Sequence, residues 1–295
     1  MIALPLRIRS FAKINLALAV LGKRPDGYHN IQTIFQSISL HDELEFHPSD
    51  RLELRCENLP GVPRESNLVW KAAALLAEAV SRNPGASIIL KKRIPCGAGL
   101  GGGSSNAATT LLGLCRLWEL RCTETDLLSI AAELGSDVPY FLTGGTAMGS
   151  GRGEKIEPLP DFPSRHLVVI FPGIQVPTGE AYSSLNLGLT SRTEDNRIQF
   201  FRDQIIKGQN DLAGFFNDFE VSILPAYPPV KESMDFLKQK GAGAALLSGS
   251  GSAVFGFFPS EESAIAASRT AIREPWQVLP AKTLSRTEYF QSIFG

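Results

Sequence analysis

The chain has 295 residues, 43% of them hydrophobic and 20% charged, with a formal net charge of −1. That composition excludes disorder and coiled coil. It also gives no global pull toward nucleic acid or an anionic membrane, so an anionic ligand must be met by a few placed groups. The length suffices for two domains, or one large one, with a real core.

In chain order, Arg7 and Arg9 ahead of "LALAVLG" (16–22) have the outline of a signal peptide. Lys13 and Asn15 interrupt the apolar stretch, however, and "KRPDG" follows, so this reads as strand and turn and the protein as cytoplasmic. No apolar run approaches a membrane span. Residues 11–20, "FAKINLALAV", alternate: Ala12, Ile14, Leu16, Leu18 and Val20 fall on one strand face, and Phe11, Lys13, Asn15 and Ala17 on the other. The second face carries a lysine and an asparagine pointing the same way. "KRPDGYHN" (23–30) is a turn, "IQTIFQSISL" (31–40) resumes the strand, and "DELEFHP" and "RLELRC" read as further strands of a meander. "SNLVWKAAALLAEAV" (66–80) is a helix with Ser66 or Asn67 as cap, and "ASIILKKRIP" (86–95) is a strand closed by Pro95.

A glycine loop and a helix come next, with Ala107, Leu111, Leu114 and Trp118 on one helical face. A second helix starts near Thr123 or Thr125 and stops at Gly135. A glycine-rich segment (136–160) leads to a domain boundary near residue 160, and "HLVVIFPG" (166–173) is a fresh strand. Helical stretches are expected around 196–206, 210–222 and 228–240, and "AALLSGSGSAVFGFF" (244–258) sets a small-residue turn between two apolar strands. There is no internal repeat or low-complexity tract. Cys56, Cys96, Cys115 and Cys122 form no CxxC pair, and four histidines are too few to suggest a zinc site. The cysteines and Trp118 read as packing residues, with free thiols suited to a reducing cytosol.

The chemistry concentrates in "CGAGLGGGSSNAATTLL" (96–112), where five of the seven residues from Gly97 to Gly103 are glycine. Strand, glycine loop and helix together make an anion site. Unpaired N–H groups and a partial positive charge sit at the helix start, and bare backbone lets a phosphate approach. Ser104 and Ser105 can cap the helix, donate to phosphate oxygens or help hold a metal. Gly97, Gly99 and Gly102 match GxGxxG formally, but a second helix follows where a dinucleotide fold needs a strand. Gly102 is followed by Gly103, so the lysine of a Walker loop is missing. A tightly packed turn is the remaining structural alternative.

The segment "IPCGAGLGGGSSNAA" resembles the phosphate loop of the small-molecule kinase superfamily that includes galactokinase, homoserine kinase, mevalonate kinase and phosphomevalonate kinase. "FAKINLALAVLGKRPDGYHNIQTIF", "LGSDVPYFLTGGTAMGSGRGE" and "LSGSGSAVFGFF" extend the likeness across both halves, over about a third of the chain. "RPDGYHN" points to the branch whose acceptor is a cytidyl-diphosphate-linked methylerythritol of the non-mevalonate isoprenoid route. The resemblance implies an α+β fold of two domains, an N-terminal ATP-binding domain (1–160, glycine loop 97–106) and a C-terminal domain (161–295), with the active site in the cleft between them.

It also implies roles, each with a plainer alternative. Asp137 is the base that takes the proton of the acceptor's 2-hydroxyl as it attacks the γ-phosphate; otherwise it is a turn aspartate. Lys13 pairs with Asp137 and offsets charge on the transferring group; otherwise it is a solvated strand lysine. Asn15 fixes the acceptor diol. Tyr28 stacks on the cytosine, His29 meets its polar edge, Tyr182 forms the second face and Thr178 lies near the diphosphate; the alternatives for the first two are a turn-packing aromatic and a surface histidine.

For ATP, Asn67 lies near the adenine and Lys92 near the phosphates. Pro95, Gly97, Gly99, Leu100, Gly101, Gly102, Gly103, Ser104, Ser105 and Asn106 form the cradle, with the serines touching the shell of a Mg2+ ion. Asn67 could equally be a helix cap, or do both. The turn 248–255, with Gly249 and Gly251, closes the cleft or is a simple hairpin. Asn217, Asp218 and Glu220 have no assigned role. The partner is a small-molecule substrate, with no nucleic acid and no membrane, and the assembly is a monomer or homodimer. Another kinase of the superfamily, an ATP-dependent decarboxylase on the same fold and a non-catalytic ligand sensor are the rival functions.

Overall fold

Strands β1 (Leu6–Lys23) and β2 (His29–Pro48) form a long antiparallel hairpin at the centre of the first sheet. The computed structural model describes residues 5–58, 63–80, 85–185, 194–209, 214–271 and 273–293. Simple alternation does not hold along β1, because the register with β2 shifts between Asn15 and Ala17. Ala12, Ile14 and Leu16 therefore share a core with Ala17, Ala19 and Leu21, while Leu18 and Val20 pack against Val168 and Val254 on the other side. A bulged residue exchanges the two faces, which period-2 reading cannot foresee. Phe11, from the supposedly less apolar face, lies in a further cluster. With both faces covered, Lys13 and Asn15 are interior residues, 3% and 1% exposed.

Next come β3 (Leu52–Glu57), a 3-10 turn at Arg64–Ser66, α1 (Leu68–Ala79) and β4 (Ala86–Lys91). They do not continue a meander: β3 runs parallel to β4, which separates it from β2. A parallel pair needs a crossover, and α1 supplies it. Helices α2 (Gly102–Leu117), α3 (Glu124–Leu134) and α4 (Val138–Thr143) follow. Thr123 and Asp126 form a capping box for α3, and Gly135 ends it. The hairpin of β5 (Thr146–Gly151) and β6 (Lys155–Pro158) then pairs with the part of β2 that β4 leaves open.

The second sheet starts with β7 (His166–Phe171), followed by α5 (Thr178–Ser184) and α6 (Asn196–Ile206). A helix over 210–222 is not what forms. Residues 210–213 lie outside the described residues, and beyond them come β8 (Phe216–Asn217), parallel to Ala17–Leu18 of β1, and α7 (Glu220–Ala226). Pairing with the edge of β1 overrides the local pattern there. Then come α8 (Pro228–Gln239), β9 (Ala244–Leu247), β10 (Val254–Phe258), α9 (Glu261–Thr270), β11 (Gln277–Lys282) and α10 (Arg286–Ile293).

The sheets have orders β3-β4-β2-β1-β8, with β5 and β6 off that path, and β11-β7-β10-β9. The chain thus forms an α+β architecture with two sheets and packed helices. Its end returns to the first half, where Tyr289 of α10 is buried and its hydroxyl donates to Phe141 O at 2.7 Å. No helix of the described residues is long and apolar enough to cross a membrane.

Candidate active site

Between β4 and α2 the backbone curls so that Gly97, Gly99 and Gly101 take φ of +67°, +77° and +69°. At two of these, space as well as conformation demands glycine. A Cβ on Gly99 would stand 2.0 Å from the carbonyl oxygen of Ser248, and one on Gly101 would stand 2.7 Å from the Phe141 ring. Of the alternatives open to Ser104 and Ser105, capping α2 is not the one taken. Gly101 is the N-cap, with no side-chain capping bond among the described residues. Ser105 turns inward instead, its hydroxyl 2.7 Å from that of Ser10. Capping by glycine leaves the first N–H groups of α2 for a ligand. They edge a cavity of about 350 Å³ whose wall includes Asn67, Lys92, Pro95, each residue from Gly97 to Ser104, and Asn106. Of the residues expected around ATP, Ser105 is the one outside that wall. Cys96 is exposed in the wall, so it is not a packing residue. Volume alone does not find this site: a groove of about 710 Å³ runs elsewhere, along Leu6, Glu45, Lys91 and Ile293.

Asn67 caps α1, its side-chain oxygen accepting from the Val69 N–H at 2.9 Å, and it also lines the cavity. Behind the loop lies a buried ionic knot centred on Asp42, a residue that sequence reading passed over. Its carboxylate is fully buried and accepts from Lys92 Nζ at 2.5 Å, Asn106 Nδ2 at 2.9 Å, and the N–H groups of Arg93 and Ile94 at 2.7 and 2.8 Å. Lys92 also donates to Asn106 Oδ1 at 3.1 Å, and Asn106 to Ser10 at 2.9 Å. Lys92 and Asn106 therefore hold the strand entering the loop to the helix leaving it. Nothing in "LHDELEF" separates Asp42 from the ordinary charged positions of a strand.

The C-terminal half clamps the loop from the opposite side. Ser248 Oγ donates to Gly99 O at 2.9 Å, and the Ala253 N–H donates to Ala98 O at 3.0 Å. The 248–253 turn is thus both the link between β9 and β10 and a brace for the glycine loop. Asn217, Asp218 and Glu220 fasten it. Asn217 Nδ2 donates to Leu247 O and Gly249 O, each at 2.8 Å, and the Glu220 carboxylate accepts from the Leu247 N–H at 2.9 Å. Asp218 accepts from the Val20 N–H at 2.9 Å, tying the same segment to β1. Burial pushes the Glu220 carboxyl above its ordinary pKa.

Lys13 lies where these parts meet. Its backbone N–H donates to Leu100 O at 3.0 Å, and a Cβ on Gly249 would stand 3.3 Å from its Nζ. That Nζ donates to Asn15 Oδ1 at 2.9 Å and is 3.6 Å from Asp137 Oδ2. Asn15 in turn donates to Thr33 Oγ1 at 2.7 Å, which fixes its amide. Asp137 precedes α4 but makes no capping bond among the described residues, so its carboxylate, 32% exposed, is directed to Lys13. Burial lowers the Lys13 pKa below the ordinary lysine value, with the Asp137 charge opposing it.

The aromatic residues divide into two pairs. The His29 ring stacks on Tyr182, centroids 4.8 Å apart and planes 15° apart, and Tyr182 meets Phe219 edge-on. Tyr28 is exposed, and its ring faces the Arg152 guanidinium at 4.8 Å. Burial chiefly, and then the Asp137 charge, raises the Tyr182 hydroxyl to about 12. Burial and then Lys23 hold His29 below the usual imidazole value. Thr178, the first residue of α5, has its hydroxyl 3.4 Å from that of Ser250 in the clamping turn. Arg152, inside the glycine-rich segment 136–160, was not singled out in the sequence.

The family model described as GHMP kinases N terminal domain matches residues 67–145, and that described as GHMP kinases C terminal matches residues 202–277. The chain is 42% identical over 282 residues to a 4-diphosphocytidyl-2-C-methyl-D-erythritol kinase of Syntrophus aciditrophicus (strain SB), covering 95% of this chain and 99% of the relative. It is 44% identical over 264 residues to the protein of the same name in Chlorobium phaeobacteroides (strain BS1), covering 89% of this chain and 92% of that one. A crystal structure of 4-(cytidine 5'-diphospho)-2C-methyl-D-erythritol kinase superposes with a TM-score of 0.79 at 34% identity, over 94% of this chain and 98% of the other.

Proposed function

The chain belongs to the 4-diphosphocytidyl-2-C-methyl-D-erythritol kinase family of the GHMP kinases and is a small-molecule kinase, and we propose that it transfers the γ-phosphoryl group of ATP to the 2-hydroxyl of 4-diphosphocytidyl-2-C-methyl-D-erythritol. The observation that carries this reading is the approach of Lys13 Nζ to Asp137 Oδ2, 3.6 Å, beside a glycine loop whose helix N-terminus has no side-chain cap among the described residues.

Phosphoryl transfer asks mainly for positioning and charge neutralisation. Asp137 accepts the proton of the acceptor hydroxyl as its oxygen bonds to the γ-phosphorus and the β–γ bridge bond breaks, releasing ADP. Lys13, desolvated and held by Asn15, faces the Asp137 carboxylate and offsets charge gathering on the transferring group. Asn15 orients the acceptor diol. The N–H groups at the start of α2 and the bare backbone of Gly97 to Gly103 receive the phosphates of ATP, while Asn67 and Pro95 border the adenine.

Among the described residues, no cluster of three or more His, Cys, Asp or Glu side chains could hold a metal ion by itself. Mg2+ commonly keeps few protein ligands and binds through substrate phosphates, and the partly buried Ser104 hydroxyl in the cavity wall suits that role. Bound there, the ion would supply charge neutralisation to the phosphates. Tyr28 offers an aromatic face and His29 a polar edge for the cytosine, while Tyr182, one face already covered by the His29 ring, backs the histidine; Thr178 lies toward the diphosphate. We place the reaction in the cytoplasm, in the supply of isoprenoid precursors.

The test is to incubate the protein with ATP, Mg2+ and a panel of acceptors and follow ADP release. Turnover is expected with the cytidyl compound. Turnover of mevalonate or homoserine without it would overturn the acceptor, and silence with every acceptor would favour a sensor.

A further inference from the structure

Arg152 sits at the tip of the β5–β6 hairpin, half-buried, and its backbone is held by the Glu154 carboxylate, which accepts the Arg152 N–H at 2.6 Å. The next residue, Gly153, abuts the reaction centre: a Cβ there would stand 3.8 Å from Asp137 Oδ1 and 3.9 Å from the Phe35 ring, the ring that lies under Lys13 Nζ. The Arg152 guanidinium extends away from that point to the Tyr28 ring, 4.8 Å from its centroid. One residue thus spans from beside Asp137 to the aromatic that the 24–28 turn presents.

The guanidinium makes no ion pair or hydrogen bond among the described residues. Asp26, a carboxylate of the facing turn, is already engaged by Arg24 at 3.0 Å, which also reaches Asn30. Lys13 is committed to Asp137 and Asn15. The Arg152 charge reaches Asp26 only at longer range, behind Arg24, so a fork of five donors over an aromatic face is left with its hydrogen bonds unmade among the described residues and is suited to receiving a diphosphate in a bidentate fashion.

We infer that Arg152 is a substrate-binding residue that receives the diphosphate linking the acceptor's nucleoside to its polyol, with Tyr28 as the platform that aims the guanidinium. This rests on the acceptor proposed above. A nucleoside diphosphate ester has its anionic link between the base and the reacting hydroxyl. Arg152 lies between the Tyr28 ring and the surroundings of Asp137, which matches that order. Stacking on Tyr28 restricts the side chain before the ligand arrives, so little further ordering is lost on binding.

The experiment measures binding of CDP and of cytidine by calorimetry, and acceptor kinetics, for the full-length protein and for Arg152→Gln and Arg152→Lys. Charge-assisted pairs lost to glutamine should weaken CDP binding about 10- to 30-fold, with cytidine affinity changed less than about twofold. The KM for the acceptor should rise in step while kcat and the KM for ATP hold, and Arg152→Lys should recover part of the loss. Equal losses for CDP and cytidine would overturn the inference, because Arg152 would then only prop Tyr28. Unchanged CDP binding would overturn it as well. Failure of the unaltered protein to bind either ligand would remove the cytidyl acceptor itself, a result distinct from both.

Discussion

The Lys13 ammonium lies 3.6 Å from the Asp137 carboxylate, the lysine side chain all but buried and the aspartate open on one side. A capping or turn role would leave Asp137 bonded to backbone N–H groups; instead its charge meets a desolvated cation. Asp137→Asn keeps the size of the side chain but removes its capacity to take a proton. Turnover should fall by about 10²–10⁴-fold, with the dissociation constant for ATP within about twofold, read by steady-state kinetics and nucleotide titration. Equal losses of turnover and ATP affinity would assign Asp137 a structural role.

The same pair sets a pH dependence whose sign can be worked out. Burial lowers the Lys13 pKa below 10.5, its ordinary value, so the unfolded chain holds that proton more tightly than the native protein does. Native stability attributable to Lys13 therefore rises as pH climbs through the folded pKa toward the unfolded one. On the role proposed for Lys13, activity moves oppositely over that window, because its cation is lost. The kcat profile should thus show an alkaline limb below 10.5 in the range where melting shows no matching loss of stability from this residue. In Lys13→Met, the residual activity should lack that limb. A limb unchanged in Lys13→Met would assign it to another group.

What the sequence disclosed was local, and what it hid was long-range. Thr123 and Gly135 bracket α3, and Asn67 caps α1, because caps are written within a few residues of what they cap. The side chains of Lys13 and Asn15 share a direction because two residues on one strand do so. Asp42 went unnoticed because its partners, Lys92 and Asn106, are 50 and 64 residues away. The parity flip along β1 depends on a bulge set by β2. β8 forms inside an apparent helix because an edge of β1 was available. In the candidate site, the run of glycines was readable as composition, whereas the contact of Gly99 with Ser248 belongs to the fold.

Gly99 tests that contact. Alanine there meets a carbonyl oxygen at 2.0 Å in a backbone with φ of +77°, so the clamp and the loop must separate. Gly99→Ala should lower the melting temperature by several degrees and abolish measurable ATP binding. Gly103→Ala is the comparison, since its Cβ would find only Leu68 at 3.5 Å, and alanine in a helix favours folding by up to about 1 kcal/mol. Its melting temperature should hold or rise. Equal destabilisation by both substitutions would refute the steric account.

Cys96 offers a direct probe of the cavity. It is exposed and borders Gly97, whereas Cys56, Cys115 and Cys122 are half-buried, and burial raises the thiol pKa of Cys115 and Cys56. Thiolate fraction and access govern alkylation, so N-ethylmaleimide should modify Cys96 first. Saturating ATP should slow that reaction by about tenfold or more, as followed by peptide mass spectrometry, and leave the slower cysteines unaffected. Labelling of Cys96 at the same rate with and without ATP would place the nucleotide elsewhere.

Asp42 shows how the glycine loop is supported from behind. Its carboxylate gathers four donors with no exposure to solvent, and the strongest of them is the Lys92 ammonium. Removing one partner of a buried pair costs about 3–5 kcal/mol, mostly because the other charge is left uncompensated. Asp42→Asn should therefore lower the melting temperature by roughly 10 °C for a chain of this size and weaken ATP binding through the displaced loop. If the uncompensated ammonium is the cause, Asp42→Asn combined with Lys92→Met should be more stable than Asp42→Asn alone, since no charge then remains buried. The alternative is that the carboxylate matters chiefly for the Arg93 and Ile94 N–H groups, and then the second substitution would recover nothing. Thermal melts of the two single variants and the double variant separate these outcomes.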